Sequence, residues 1–543
     1  MSVRPSRTGS PLLVVAHDEP ATRERVCHEL ERRYSCDYEV LGVPRATAAT
    51  ALSALEREAA LVLAAPGRDD EQLFGGVRER CPAAKRALLV PWLGWADPET
   101  ASAVRTAAGR GWIDLYVLEP GATPDEVFHR TVSELLQERA RLVGTGPAGA
   151  VVRGPNRSRH VHELQATLAA LGIPHRHEPD EGPPTVLLAG QEPLVGPRPA
   201  DVAAAVGFPT DALDGEADLV VVGAGPAGLG AAVYAASEGL RTVVVDRRGI
   251  GGQAGSSSLI RNYLGFARGV TGGELAQRAY QQAWLFDARF RVLQPVSSLE
   301  REGDRHVVGM ADGSCVAARA VVLALGVDYV RLAVPDAEEL EGSGIYYGAS
   351  PAEAQAFAGE RVAVVGGGNS AGQAALHLAR YAAHVAVLVR RRSLDETMSR
   401  YLIDALEAAP NVSIRGGTQV QRALGEGRLE AVELDAGGST ETLPLAGLFV
   451  LIGARPRTDW LPEAFLRDER GFLVTGPRLL DEERGRALWA LRRAPRALET
   501  SVPGVFAAGD VRARTVKRVA AAVGDGAAAV AQVHEHLAGE AET

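Results

Sequence analysis

Apolar residues along this chain come in short runs, and each run is followed by a segment with helical spacing. Between 11 and 143 the runs 12–16, 60–64, 87–90 and 115–118 read as strands and 21–33 as a helix. Strands alternating with helices predict a parallel sheet covered on both faces. A Gly/Pro-containing linker at 144–149 leads to a smaller unit with a strand at Val151-Val152, a helix at 162–171, a segment at 173–177 and a strand following Pro183-Pro184. The third region holds the strongest pattern: strand 219–222, helix 229–238, strand 242–245. The pattern returns as strand 362–365, helix 372–381 and strand 385–389, and the chain re-enters the preceding domain around 448–456. The predicted organisation is a disordered tail 1–10, an α/β domain 11–143, a small domain 149–210, a nucleotide domain 216–337, a second one 338–453, and a return to the first at 454–540.

Composition changes this picture little. The 543 residues suffice for several domains, and 46% hydrophobic with 23% charged residues suits a globular protein. A net charge of −10 argues against a nucleic-acid partner. Residues 219–236 are apolar enough to suggest a membrane span, but their glycines, Pro226 and the change of period favour a strand and a helix. The first ten residues lack the apolar core of a signal peptide, so a cytoplasmic protein without membrane contact is expected. Cys27, Cys36, Cys81 and Cys315 stand apart, with neither a CxxC nor metal-ligand spacing. No metal site is expected. His377 and His384 flank a predicted helix and read as surface or packing residues.

The chemistry lies in two glycine turns. Gly223, Gly225 and Gly228 follow the first strand, with Pro226 and Ala227 between them. Such glycines allow a tight turn, backbone approach to a pyrophosphate, and close helix–strand packing. The strand after this turn ends on Asp246, twenty-three places beyond Gly223; the strand after the second turn, Gly366-Gly367-Gly368-Asn369-Ser370-Ala371, ends on Arg390, twenty-four beyond Gly366, with Arg391 and Arg392 following. A carboxylate accepts hydrogen bonds from ribose hydroxyls, whereas guanidinium groups pair with a 2′-phosphate.

After the first unit come Gly251-Gly252-Gln253 and Asn262-Tyr263-Leu264-Gly265-Phe266. This pair, following the glycine turn, resembles the thioredoxin reductase branch of the two-dinucleotide flavoproteins, and the likeness runs from Asp218 to the C-terminus. The resemblance implies FAD in the first site and NADPH in the second. It implies that Gly252, Gln253 and Asn262 lie against the flavin, that Arg247 adjoins the cofactor beside Asp246, and that Ala324 and Gly326 close the first half of the flavin domain. It further implies that Gly509 and Asp510 hold the ribityl chain, and that Arg518 and Val519 open a helix at the flavin's pyrimidine edge. Gly366, Gly368, Asn369, Ser370, Ala371, Arg390, Arg391, Arg392, Ile452 and Gly453 are the corresponding NADPH residues. Arg261 stands where the family has an acid, and Leu325 where it has Thr.

Residues 11–143 resemble a response-regulator receiver, but Ala64-Ala65 occupy the phosphoacceptor position, Val90 the hydroxyl position and Glu119 the lysine position. A pseudo-receiver for docking or dimerisation is expected, with phosphorylation at another site as the alternative and Asp69 and Asp70 in a solvated loop. The small unit resembles a thioredoxin or glutaredoxin domain, with a cis-proline expected at Pro184, yet Gly154-Pro155-Asn156-Arg157-Ser158 contains no thiol. Asn369–Ala375, Pro456–Leu461 and Val516–Gly526 resemble an actinobacterial group in which a response-regulator module is fused to a reductase. The expected fold is thus α/β: a Rossmann-like two-dinucleotide flavoprotein behind a flavodoxin-like pseudo-receiver and a degenerate thioredoxin-like domain.

One departure changes the function. Thioredoxin reductases carry their redox CxxC directly after a tyrosine like Tyr347; this chain reads Gly348-Ala349-Ser350-Pro351. The expectation is an NADPH-dependent FAD oxidoreductase, a homodimer by resemblance, that reduces an external small molecule or small redox protein directly. Tyr346, Tyr347 and Ser350 are the candidate residues lining the vacated face. A flavin oxidase or dehydrogenase acting on a specialised metabolite, and a redox-sensing scaffold, are the alternatives. Trp489, in a segment longer than the family's, reads as a packing residue.

Overall fold

The computed structural model describes residues 10–54, 57–121, 123–143, 149–156, 158–208, 216–257, 260, 262–266, 269–349 and 351–539. It divides into two units, Met1–Pro147 and Ala148–Thr543.

In the first unit, β1 (Leu12–Ala16), β2 (Glu39–Val43), β3 (Ala59–Ala64), β4 (Lys85–Val90) and β5 (Leu115–Leu118) form a parallel sheet in the order β2-β1-β3-β4-β5. β1, β3 and β4 are buried throughout because helices cover both faces, which is why their sequences are continuously apolar. β2 lies at the sheet edge and is half exposed, so its pattern is too weak to read from sequence. Asp70 is not a solvated loop residue: only 4% exposed, it pairs with the buried Arg45 at 2.6 Å. Burying that guanidinium requires the partner carboxylates of Asp69 and Asp70 and the carbonyl of Ala65, which accepts from Arg45 Nε at 3.0 Å.

The second unit opens with β6 (Ala150–Gly154), β7 (His175–Pro179), β8 (Thr185–Leu188) and β9 (Leu194–Val195), in the order β7-β6-β8-β9. β6 and β7 are parallel and the other pairs antiparallel, with helices Arg159–Ala170 and Pro199–Ala205 alongside. The bond before Pro184 is trans, contrary to expectation; among the described residues the cis bond is Thr123-Pro124. The trans form carries the chain straight into β8, and the Pro184 carbonyl accepts from Gly196 N at 2.7 Å.

The first nucleotide sheet comprises β10 (Ala217–Val222), β11 (Thr242–Val245), β12 (Arg289–Arg291), β13 (Val296–Glu302), β14 (Arg305–Met310) and β15 (Cys315–Leu323), in the order β12-β11-β10-β15-β14-β13. The chain leaves through β16 (Asp328–Tyr329). The second sheet is formed by β17 (Ile345–Tyr346), β18 (Arg361–Val365), β19 (His384–Val389) and β20 (Val412–Gly416). A three-stranded antiparallel sheet follows as β21 (Thr418–Leu424), β22 (Ala431–Ala436) and β23 (Thr440–Pro444). β24 (Gly447–Val450) then inserts between β17 and β18, so the residues expected to re-enter the flavin domain still belong to the second sheet. The crossing comes at β25 (Ala454–Arg455), antiparallel to β16, and β26 (Val505–Ala507) completes the first sheet beside β15.

Helices Pro226–Ser237 and Val519–Gly539 pack backbone to backbone. A Cβ on Gly526 would lie 2.1 Å from the Ala227 carbonyl oxygen, and one on Gly230 would lie 2.9 Å from that of Val523. The small domain touches both nucleotide domains. Ile250 N donates to Ala170 O at 2.7 Å, and the His162 ring meets Tyr346 edge-on at 5.1 Å. Trp489 is buried against Leu466, Val474 and Leu479, with Nε1 donating to Arg493 O at 2.7 Å, a packing role.

Gly526→Ala should lower the denaturant midpoint by the equivalent of about 1–3 kcal/mol, the usual cost of overpacking. An unchanged midpoint would show that the two helices sit farther apart.

Candidate functional site

The first glycine turn is shaped by what surrounds it. Gly223 has φ 110°, and a Cβ there would lie 2.3 Å from Ala324 O; a Cβ on Gly228 would lie 1.7 Å from Gly223 O. These two glycines are demanded by the protein itself. Gly225 differs, because its Cβ would meet nothing nearer than Gly252 Cα at 3.9 Å. Gly225 and Gly252 thus bring bare backbone together at the start of helix Pro226–Ser237, a Cβ on Gly252 lying 3.0 Å from Gly225 Cα. The helix has Pro226 in its first turn and no side chain capping it, leaving first-turn amides free for an anion. The helix begins three residues earlier than the sequence suggests, because proline is favoured at a first helical position.

Asp246 does more than await a ribose. Oδ2 accepts from Ala224 N at 2.7 Å, and Oδ1 accepts from Arg248 N at 2.7 Å and Gly249 N at 2.9 Å. A carboxylate offers about four acceptor positions, so one remains for a sugar hydroxyl. Arg247 is held by Asp328 of β16, which also pairs with Arg457 at 3.3 Å; its partner is the domain crossing. Gln253 Nε2 donates to Val327 O at 2.6 Å, fixing the short helix Gly252–Gly255 to the chain beyond Ala324 and Gly326. Asn262 is exposed.

The far end of the chain completes this site. Gly509, at φ 75°, approaches so closely that a Cβ would lie 2.8 Å from Ala227 Cβ. Its N–H donates to Asp525 at 3.1 Å, and Asp525 is held by Arg512 at 2.7 Å. The carboxylate of Asp510 makes no hydrogen bond among the described residues, and burial raises its pKa against the opposing pull of Lys517. A half-buried, unpartnered acid beside a backbone-lined opening fits a hydroxyl-bearing ligand. Val519 opens the long helix Val519–Gly539, and Arg518 is exposed just before it.

The second turn repeats the design. A Cβ on Gly366 would lie 2.4 Å from Leu451 O, while one on Gly368 would meet nothing within 4 Å. Helix Asn369–Leu378 starts at Asn369, earlier than expected. The Asn369 side chain is committed to the following loop, donating to Ser399 Oγ at 2.9 Å and accepting from Ser399 N at 2.7 Å. Ser370 is exposed and Ala371 buried. Arg390, Arg391 and Arg392 emerge exposed at the end of β19, and Ile452 and Gly453 follow β24.

The segment expected to line an acceptor face departs from expectation. Tyr346 does not line an opening. It is 5% exposed, stacked on Phe449 at 5.4 Å and against Phe357 at 5.6 Å, and its hydroxyl donates to Gly342 O at 3.2 Å. Helix Arg159–Ala170 covers it through His162, which also lies 3.7 Å from Glu353. Tyr347 is half-buried, its hydroxyl accepting from Leu332 N at 3.2 Å and Arg331 over its ring. Ser350 lies outside the described residues. All four cysteines are free; burial pushes the Cys27 thiol up to about 11, far from a reactive thiolate. Among the described residues there is no cluster able to hold a metal ion, and no helix is long and apolar enough to cross a membrane.

Residues 217–526 match the family described as pyridine nucleotide-disulphide oxidoreductase. The chain belongs to this family. It is similar to Thioredoxin reductase of Treponema pallidum, 32% identical over 314 residues, which are 58% of this chain and 94% of the relative. It is 34% identical over 327 residues to an alkyl hydroperoxide reductase component of Pseudomonas putida, 59% of this chain but only 58% of that protein. The crystal structure of T. acidophilum thioredoxin reductase superposes with a TM-score of 0.51 at 28% identity, covering 59% of this chain and 99% of that one. The membership makes the chain an FAD-dependent NAD(P)H oxidoreductase, and the family's thioredoxin reductase type uses FAD and NADPH.

Sequence reasoning missed Asp328, Asp525, His162 and Glu396, each of which acts on a partner distant in sequence or in a neighbouring loop. His377 is half-buried, with no partner for Nε2 among the described residues, and burial, aided by Arg380, depresses its pKa from 6.5 to about 4.

Asp246→Ala would strand three backbone N–H groups. It should cost about 1–3 kcal/mol of stability and lower the flavin content of purified protein; full occupancy at unchanged stability would refute this role. The His377 shift predicts a second measurement. Between pH 6.5 and 4 the unfolded chain takes up a proton that the folded imidazole refuses, so stability is full above 6.5 and falls as pH drops toward 4. His377→Leu should remove up to about 3 kcal/mol of that acid-side loss. An identical slope in both proteins would show that His377 is protonated in the fold.

Proposed function

We propose that this protein transfers reducing equivalents from NADPH through FAD to an external acceptor with no protein dithiol in between. The observation that carries this reading is the run Gly348-Ala349-Ser350-Pro351, where the thioredoxin reductase pattern has its two cysteines. Of the four cysteines, three lie in the other unit, and Cys315 stands alone at the start of β15. A disulfide relay needs a thiolate beside the flavin, and this chain supplies none there.

Gly225, Gly252, Asp246, Asp510 and the amide of Val519 would hold FAD; Gly366, Gly368 and the arginines after β19 would hold NADPH. When bound, these cofactors supply hydride transfer. The chain contributes position: backbone amides for pyrophosphate, acids for ribose and ribityl hydroxyls, and helix starts aimed at negative charge. With Tyr346 sealed by His162, Tyr347 is the described aromatic left to border an acceptor near that face. Acceptors of the right kind are a small electron-transfer protein, a quinone, dioxygen or another small molecule. A homodimer is part of this reading.

The first unit reads as a pseudo-receiver. Its strand order is the doubly wound one. In place of an acceptor aspartate, Arg45 grips the Ala65 carbonyl, and Glu119 in the lysine position pairs with Arg25 at 3.2 Å. With neither acceptor nor lysine there is no acyl phosphate to form, and docking or dimerisation is its role. The small domain reads as a thioredoxin-like spacer without redox chemistry.

Anaerobic mixing with NADPH should bleach the flavin band, while turnover of aromatic disulfides stays at the level of free flavin. Dithiol-dependent disulfide turnover would overturn the proposal; absence of bleaching would favour an oxidase or a scaffold.

A further inference from the structure

The second nucleotide site carries an exposed carboxylate beside its arginines. The loop after Arg392 is not free to wander. Leu394 and Met398 are buried at 4% and 5% exposure, Thr397 Oγ1 donates to Gly367 O at 2.6 Å, and Ser399 is bonded to Asn369. The loop is therefore laced onto the glycine turn itself, and Glu396 sits between its anchors. From there Glu396 Oε2 accepts a charge-assisted hydrogen bond from Arg391 Nη1. Asp395, next to it, is occupied elsewhere, with Ser393 and with Arg400 at 3.3 Å. Arg390 and Arg392 have no carboxylate partner among the described residues.

We propose that Glu396 is a specificity-determining residue of the second dinucleotide site: by holding the Arg391 guanidinium it weakens the preference for a 2′-phosphate and admits NADH alongside NADPH. The proposal rests on the NADPH reading above and deepens it. The chemistry is competition. The carboxylate occupies Arg391 Nη1 and orients the fork toward itself, so a 2′-phosphate gets the full bidentate contact of that guanidinium only when Glu396 gives way. The displaced carboxylate then lies near the phosphate dianion, a like-charge penalty that an unphosphorylated ribose never meets. Both side chains are more than half exposed, so the effect is modest and salt-sensitive.

The test is calorimetric binding of adenosine 2′,5′-bisphosphate and of 5′-AMP to the full chain, with no turnover required. Glu396→Gln should tighten the bisphosphate by about two- to fivefold at low salt, leave 5′-AMP unchanged, and lose the gain at high salt. In an Arg391→Ala background the same substitution should give no gain. Equal bisphosphate affinity in the wild type and Glu396→Gln, or a gain that survives without Arg391, would overturn the proposal. Unchanged 5′-AMP binding reports an intact fold. If bisphosphate affinity is also insensitive to Arg390→Ala and Arg392→Ala, the NADPH assignment itself fails, a result distinct from failure at Glu396 alone.

Discussion

The flavin half of the molecule depends on a backbone contact with no room for a side chain. Gly223 lies against the Ala324 carbonyl, and Gly228 against the Gly223 carbonyl, at distances no Cβ tolerates. That contact locks three segments together: the end of β10, the first turn of helix Pro226–Ser237, and the chain leaving β15. Once they are locked, the amides of the helix start have one direction to face, and Gly225 and Gly252 leave backbone exposed there. Gly509 brings the C-terminal segment to the same place by the same means, through Ala227. The second site is built on an equivalent contact between Gly366 and the Leu451 carbonyl.

Charge is then placed at fixed distances from these turns. Asp246 serves the architecture first: three of its acceptor positions hold the turn, and about one is left over. The arginine side chains after β19 are exposed, and among the described residues none of them accepts or donates within the glycine turn. On this difference, changing the acid of the first site is expected to cost stability, whereas the proposed Glu396 contact acts at the surface of the second. The charges of the second site are exposed and screened by salt, whereas the first site's acid is tied into the backbone of its turn.

Much of this was legible in the sequence, because the contacts that build each turn are local. The strands 12–16, 219–222 and 242–245 appear where their apolar runs predict, and both glycine turns sit at strand ends. Local pattern also misleads where tertiary contact decides. β2 is an edge strand with little buried surface, so nothing in its composition announces it. Asp70 looks solvated until Arg45, twenty-five residues earlier, is found buried against it. Tyr346 looks like an active-site residue by position, but Phe357, Phe449 and His162 converge on it from three other segments. No periodicity encodes that convergence.

The burial of Tyr346 and the cysteine-free run Gly348-Ala349-Ser350-Pro351 fit together physically. A dithiol that relays electrons must be reachable from both sides, and its segment must keep few tertiary contacts. Here the segment before it is fixed by an aromatic stack on one side and by helix Arg159–Ala170 on the other. That helix begins with Ser158, whose hydroxyl accepts from Val161 N, and a Cβ on Gly342 would lie 3.3 Å from Arg159 Cα. A helix start is where a thiolate is best stabilised; this one is capped by a serine and spent on packing. The same helix ends at Ala170, whose carbonyl accepts from Ile250 in the flavin domain. One twelve-residue helix therefore spans from the second nucleotide domain to the first. Tyr346, two residues before Gly348, is thereby pinned between two domains.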